Sequence, residues 1–170
     1  MKKIAFVLSL VMMLSVLAAC GGTAGGVQAP ADPLTDLFAK LYEEVTVELP
    51  VADMPVELED PDMLMTYVGA ESAEGIKEAQ FSESMIGAQA YSVTLVRCED
   101  NEAAKKVAQT MFDGINTRKW ICVEATDKMA ASYGDLAVFI MVDPELGVTA
   151  EQLMQGFSTV FGGEITDIIR

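Results

Sequence analysis

Any chemistry in this chain must come from thiols, carboxylates, hydroxyls and amines, because its 170 residues include no histidine. Hydrolases of the Ser-His-Asp or Cys-His type set a base of near-neutral pKa beside their nucleophile. Here that base would have to be a lysine or a carboxylate, and no serine sits in a motif that singles it out for a Ser-Lys arrangement. The glycines of residues 21–26 follow no strand and open no helix, so they are not a phosphate-cradling loop. The expectation is a protein that is not an enzyme and carries no cofactor.

Metal chemistry is weighed in the same way. Cys20, Cys98 and Cys122 match no zinc spacing. Glu57, Glu59, Asp60 and Asp62 crowd one loop and could offer oxygens to calcium, but not with EF-hand spacing, and Asp60 has a helix to cap. Met63 and Met65 could suit Cu(I), yet Met63 falls on the apolar side of its helix, where methionine fills gaps. No metal site is expected. Tyr67, Tyr91, Tyr133 and Trp120 could line a sugar or peptide site, but they are scattered in sequence and read as packing. The segment Ser132-Tyr133-Gly134-Asp135 precedes the most apolar strand and is the loop in which to look first for binding.

Cys20 has the most specific setting. Lys2 and Lys3 are followed by fourteen uncharged residues, 4–17, and then by Leu17-Ala18-Ala19-Cys20 and Gly21-Gly22. A basic start, an apolar stretch and small residues before a cut define a secretory signal. Residues 4–19 number sixteen, short of the about 20 that a spanning helix needs. The segment resembles the bacterial lipoprotein signal peptide, whose Leu-Ala-Ala-Cys box is cut before a lipidated cysteine. The resemblance implies that residues 1–19 are removed and that Cys20 carries a diacylglyceryl group. Stable anchoring takes two acyl chains, which the modified Cys20 would supply. The expected location is the extracytoplasmic face of the cell membrane, lipid-anchored.

Charge agrees with that role. The chain has 11 basic and 26 acidic side chains, a formal net charge of −15. Without Lys2 and Lys3 the balance is nine against 26, or −17. Nucleic acid and anionic lipid both require clustered Lys or Arg, so neither is an expected partner. In an exported protein Cys98 and Cys122 could form a disulfide or remain as two buried thiols.

Residues 20–31, small and uncharged after Cys20, read as a flexible tether with a reach of about 18 Å. Residues 32–170 then read as one domain. Asp32-Pro33 suits a helix start, and Leu34, Leu37, Phe38, Leu41 and Val45 predict a helix over 33–45. Residues 46–59, with Pro50 and Pro55, read as extended or looped. Asp60-Pro61 opens a short helix that Gly69 ends. Alternation from Ala79 and the run 91–98 predict two antiparallel strands. Asp100 caps a helix with Ala104, Val107, Ala108, Met111, Phe112 and Ile115 on one stripe. Residues 120–125 (WICVEA) have strand composition, 127–133 could be a helical turn, and 136–142 (LAVFIMV) is a central strand covered on at least one face. Thr149 and Gln152 form a capping box before the last helix, with Val148 and Leu153 as its staple; residues 164–170 add a short edge strand or hang free.

These elements predict an α+β fold: a single two-layer domain with an antiparallel or mixed sheet of three to five strands and helices mainly on one face. The lipobox, the Gly-rich tether, the cysteine-strand-helix order and SYGDLAVFIMV resemble small lipoproteins of Gram-positive gut-type bacteria that carry one domain of unknown function. The expected function is a non-catalytic binding or interaction module of the cell envelope, with a protein, peptide or envelope component as partner. The alternatives are a small ligand-binding component of a transporter and, further off, an enzyme.

Overall fold

The fully apolar run 136–142 decides the architecture, since both of its faces must be covered. It forms strand β5 (Leu136–Val142), every residue of which is buried. The computed structural model describes residues 27–170; Leu17, Ala18, Ala19 and Cys20 lie outside the described residues. In chain order the other elements are α1 (Leu34–Glu44), β1 (Val51–Pro55), α2 (Pro61–Val68), β2 (Ile76–Ser84), β3 (Tyr91–Cys98), α3 (Asn101–Gly114) and β4 (Asp127–Tyr133). After β5 come a single 3-10 turn (Pro144–Leu146), α4 (Ala150–Phe161) and β6 (Asp167–Ile169).

The fold is α+β, with six antiparallel strands in the order β1-β2-β3-β5-β4-β6. Alternate side chains of β5 divide the core. Leu136, Val138, Ile140 and Val142 pack with Leu37, Phe38 and Leu41 of α1 and with Leu153, Met154 and Phe157 of α4. Ala137, Phe139 and Met141 pack with Leu64 and Val68 of α2 and with Ala104, Val107, Ala108 and Met111 of α3. Helices therefore cover both faces, and the expected two layers with helices mainly on one face are corrected to three. The sheet has six strands where three to five were expected: β1 and β4 form in stretches with no clear strand pattern, and the tail adds an edge strand. β1 lies in the stretch expected to be extended or looped, and Pro55 is tolerated at its end because an edge strand has no outer partner to satisfy. The tail supplies β6, three residues paired with β4.

Local signals account for the helix ends. The Asp60 carboxylate accepts from the backbone N–H groups of Asp62 and Met63, and Gly69 closes α2 in the left-handed region at φ 68°. Asp100 accepts from the Ala103 N–H, and the Thr149–Gln152 capping box is complete. Asp127 adds a cap from outside the helix: its Oδ2 accepts from the Ala150 N–H at 2.8 Å. The Asp32 cap is the exception. α1 has no side-chain cap, and Asp32 instead pairs with Lys40 at 2.7 Å.

The largest misreading falls between α3 and β5. Residues 120–125, expected as a strand, are loop, and 127–133, ambiguous in sequence between a helical turn and other structure, are β4. Strand composition misleads because Trp120 is fixed by its indole N–H, Ile121 is 83% exposed and Cys122 sits at φ 70°. In β4 the Ala130 position faces α3, where a small residue admits close approach of the helix. Gly134, at φ 58°, makes the two-residue turn between β4 and β5.

Candidate functional site

Lys119 has its ammonium enclosed between two strands and two aromatic rings. It leaves the loop after α3 and returns to the sheet, where its Nζ lies 2.9 Å from Glu83 Oε2 of β2 and 3.2 Å from Ser92 Oγ of β3. Glu83 and Ser92 are cross-strand partners, so the β2–β3 register sets both acceptors side by side. The Trp120 indole N–H donates to the other oxygen of Glu83 at 2.7 Å. The ammonium also stands 4.1 Å from the Tyr67 ring centroid and 5.2 Å from that of Trp120. Tyr67 is held by stacking on Phe81. The Lys119 and Glu83 side chains are only 11% and 15% exposed, so the pair is largely withdrawn from solvent. Burial lowers the Lys119 pKa from its ordinary value, opposed by Glu83; burial and the Glu83 charge both raise that of Tyr67.

This cluster contains the Ser-Lys proximity that the sequence did not single out. A lysine acts as base only as the free amine, however, and Glu83 within 2.9 Å favours the ammonium. Ser92 is 1% exposed, so a substrate carbonyl has no route to its Oγ in this conformation. The arrangement works as a clasp fixing the 115–126 loop to the sheet. Met85, Ile86 and Ile121, exposed apolar residues of the adjoining turn and loop, lie at the same end of the strands.

On the opposite face of the sheet the C-terminal end of α1 and the side of α4 bound an open groove of about 590 Å³. Val45, Leu146 and Gly156 give it an apolar floor; Glu44, Glu48, Gln152, Gln155, Thr46 and Thr159 give it a polar rim. Gly156 is required where the helices cross, since a Cβ there would overlap Val45 and approach Leu41 within 2.9 Å. Nearby, the Tyr42 hydroxyl of α1 joins Ser82 Oγ of β2 at 2.5 Å and the Tyr91 hydroxyl of β3 at 3.1 Å. This bonds α1 to the sheet beneath the groove, and burial raises the pKa of both tyrosines.

The Ser132–Asp135 segment turns out to receive the chain's own N-terminal residues. Gly134 abuts the backbone of Val27 and Ala29, leaving no room for a Cβ. Arg97 completes the attachment by donating to the carbonyls of Pro30 at 3.1 Å and Asp32 at 2.8 Å, with Glu78 3.0 Å from its Nε. Ala29 is buried, so the end of the expected tether is packed on the domain. No motif marked Arg97; its only signal is a charge in an otherwise uncharged strand, 91–98.

Cys98 and Cys122 are free thiols, the first buried and the second exposed. Cys98 ends β3 beside Ile76, whereas the Lys119–Trp120 pair meets the sheet at Ser92 and Glu83. Six strand residues, about 20 Å, separate those levels, and a disulfide needs Cα atoms within about 7 Å. Burial, and then the Asp135 charge, push the Cys98 thiol up to about 12. Of the acidic loop, Asp60 is committed to capping α2, and no group of three metal-ligating side chains converges among the described residues. Met63 packs on the core while Met65 is exposed, so the pair does not converge. Among the aromatics, Tyr67 and Trp120 meet at Lys119, while Tyr91 is buried on the other face and Tyr133 packs on Phe161. Among the described residues no helix is long and apolar enough to cross a membrane. Comparison with protein families, curated proteins and solved structures finds no match.

Proposed function

We propose that the protein is a membrane-anchored, extracytoplasmic binding module without catalytic activity, held by lipid on Cys20. Leu17-Ala18-Ala19-Cys20 behind a basic and apolar leader supports the anchor. The observation that carries the reading is the separation of two ends. Residues 27–32 join the domain at the β4–β5 turn through Arg97 and Gly134. The groove and the Lys119 loop lie toward the other end of the strands, about 20 Å away along β5. A chain tethered ahead of residue 27 would thus present its groove and apolar loop away from the membrane, toward envelope partners. The groove volume also falls in the range of small-ligand sites, which favours a transporter-associated binding component as the second reading.

The anchor is tested by Cys20→Ser in cells supplied with labelled palmitate. Loss of label and transfer to the soluble fraction are expected; full membrane retention of a correctly cut, unlabelled chain would overturn it. For the outward end, a photo-crosslinking residue at position 121 should capture an envelope partner and one at the exposed position 99, beside the β4–β5 turn, should not. Equal capture at both positions would refute the polarity.

A further inference from the structure

The walls of the groove between α1 and α4 come from two stretches with a shared property: residues 41–76 and residues 129–169 contain no lysine or arginine. Together these stretches hold ten and six of the acidic side chains, while residues 77–128 hold seven basic against eight acidic. Charge is therefore segregated along the chain, and the fold brings both base-free stretches together at one cleft. Glu44 and Glu48 lie exposed on its rim, and neither has a basic partner among the described residues. A cleft of one sign above low-dielectric walls concentrates oppositely charged ligands.

We propose that this groove docks an extended peptide segment bearing lysine or arginine, supplied by a partner protein. Glu44 and Glu48 pair with its cationic heads. The side chains of Val45 and Leu146 on the groove wall receive the aliphatic stems, which bury readily while the charge stays solvated. The exposed amides of Gln152 and Gln155 and the hydroxyls of Thr46 and Thr159 offer both donors and acceptors, which suits peptide backbone better than a polyamine. Gln152 keeps its amide N–H groups for this, since the capping box uses only its Oε1. The inference deepens the binding-module reading and rests on it.

The test uses the full chain in non-ionic detergent and a fluorescein-labelled octapeptide alternating Lys and Ser, followed by anisotropy. Saturable one-to-one binding that weakens with added salt is expected. Glu44→Gln with Glu48→Gln should weaken it at least tenfold, Thr159→Trp should block it, and Glu57→Gln with Glu59→Gln, outside the groove, should change it less than twofold. The inference is overturned by no saturation up to 1 mM peptide or by equal loss in both glutamate pairs. It is likewise overturned by equal binding of an Asp-Ser octapeptide, or by spermine displacing the probe at the peptide's own affinity. Anchoring is read separately on the Cys20→Ser chain: retained anchoring with intact peptide binding overturns only the tether, and lost anchoring with no peptide binding overturns only this docking site.

Discussion

Replacing Lys119 by methionine tests how the 115–126 loop is held. Met keeps the unbranched apolar stem of the lysine and removes the ammonium, with its charge and its N–H donors. Glu83, 15% exposed, would then stay buried with the Trp120 N–H as its remaining strong donor. Breaking a buried pair by removing one partner costs about 3–5 kcal/mol. The residual exposure and the indole bond place this case at the lower end, about 3 kcal/mol, and lost contact with the Tyr67 ring is included in that range. For a domain of this size such a loss lowers Tm by about 10 °C. Adding Glu83→Gln should recover at least half of it, because no uncompensated charge remains. Trp120 is the only tryptophan, so its emission and acrylamide quenching report on the loop directly. Lys119→Met should shift the emission to the red and raise quenching; the double variant should partly reverse both. A single variant less than about 1 kcal/mol destabilised, with unchanged emission, would show that the pair is effectively solvated and the clasp reasoning wrong.

Two further outcomes follow from buried groups. Cys98 binds its proton more tightly folded than unfolded, so stability is fully present below about pH 9 and falls as pH rises toward 12, at about 1.4 kcal/mol per pH unit. Tyr42, Tyr67 and Tyr91, all raised above their ordinary 10, add to the fall beyond pH 10. Urea titrations at pH 8 to 10 should show the decline and Cys98→Ala should flatten its first part; a slope unchanged in that variant would refute the assignment. Gly156→Ala should destabilise by about 1–3 kcal/mol despite the better helix propensity of alanine, because its methyl overlaps Val45 at the α1–α4 crossing. Thermal unfolding that shows a gain would mean the two helices can separate freely.

The elements legible in sequence were those whose ends and faces are coded locally. Asp60 with Gly69, Asp100, and Thr149 with Gln152 each announce a helix through a bond that forms within a few residues. The wholly apolar 136–142 run announced a central strand. What stayed hidden depends on distant partners. Residues 51–55 become a strand only because β2 offers them an edge, and the Trp120 loop escapes strand pairing because Glu83, 37 residues away in sequence, takes its indole N–H. The second helical layer was missed for a related reason: the alternating Ala137, Phe139 and Met141 showed that both faces were apolar, but not which helix would cover each. Arg97 and the groove were equally invisible, since Arg97 reaches carbonyls at least 65 residues away and the groove joins whole elements distant in sequence.

The sheet margins carry a last consequence. β1 stops at a proline after five residues and β6 has only three, so neither offers a long row of open backbone groups. Chains confined by the proposed anchor to one surface would meet each other far more often than chains dispersed in a volume. Under that confinement a long bare margin would invite strand-to-strand addition between neighbours, and two short margins, one ended by Pro55, keep such neighbours separate.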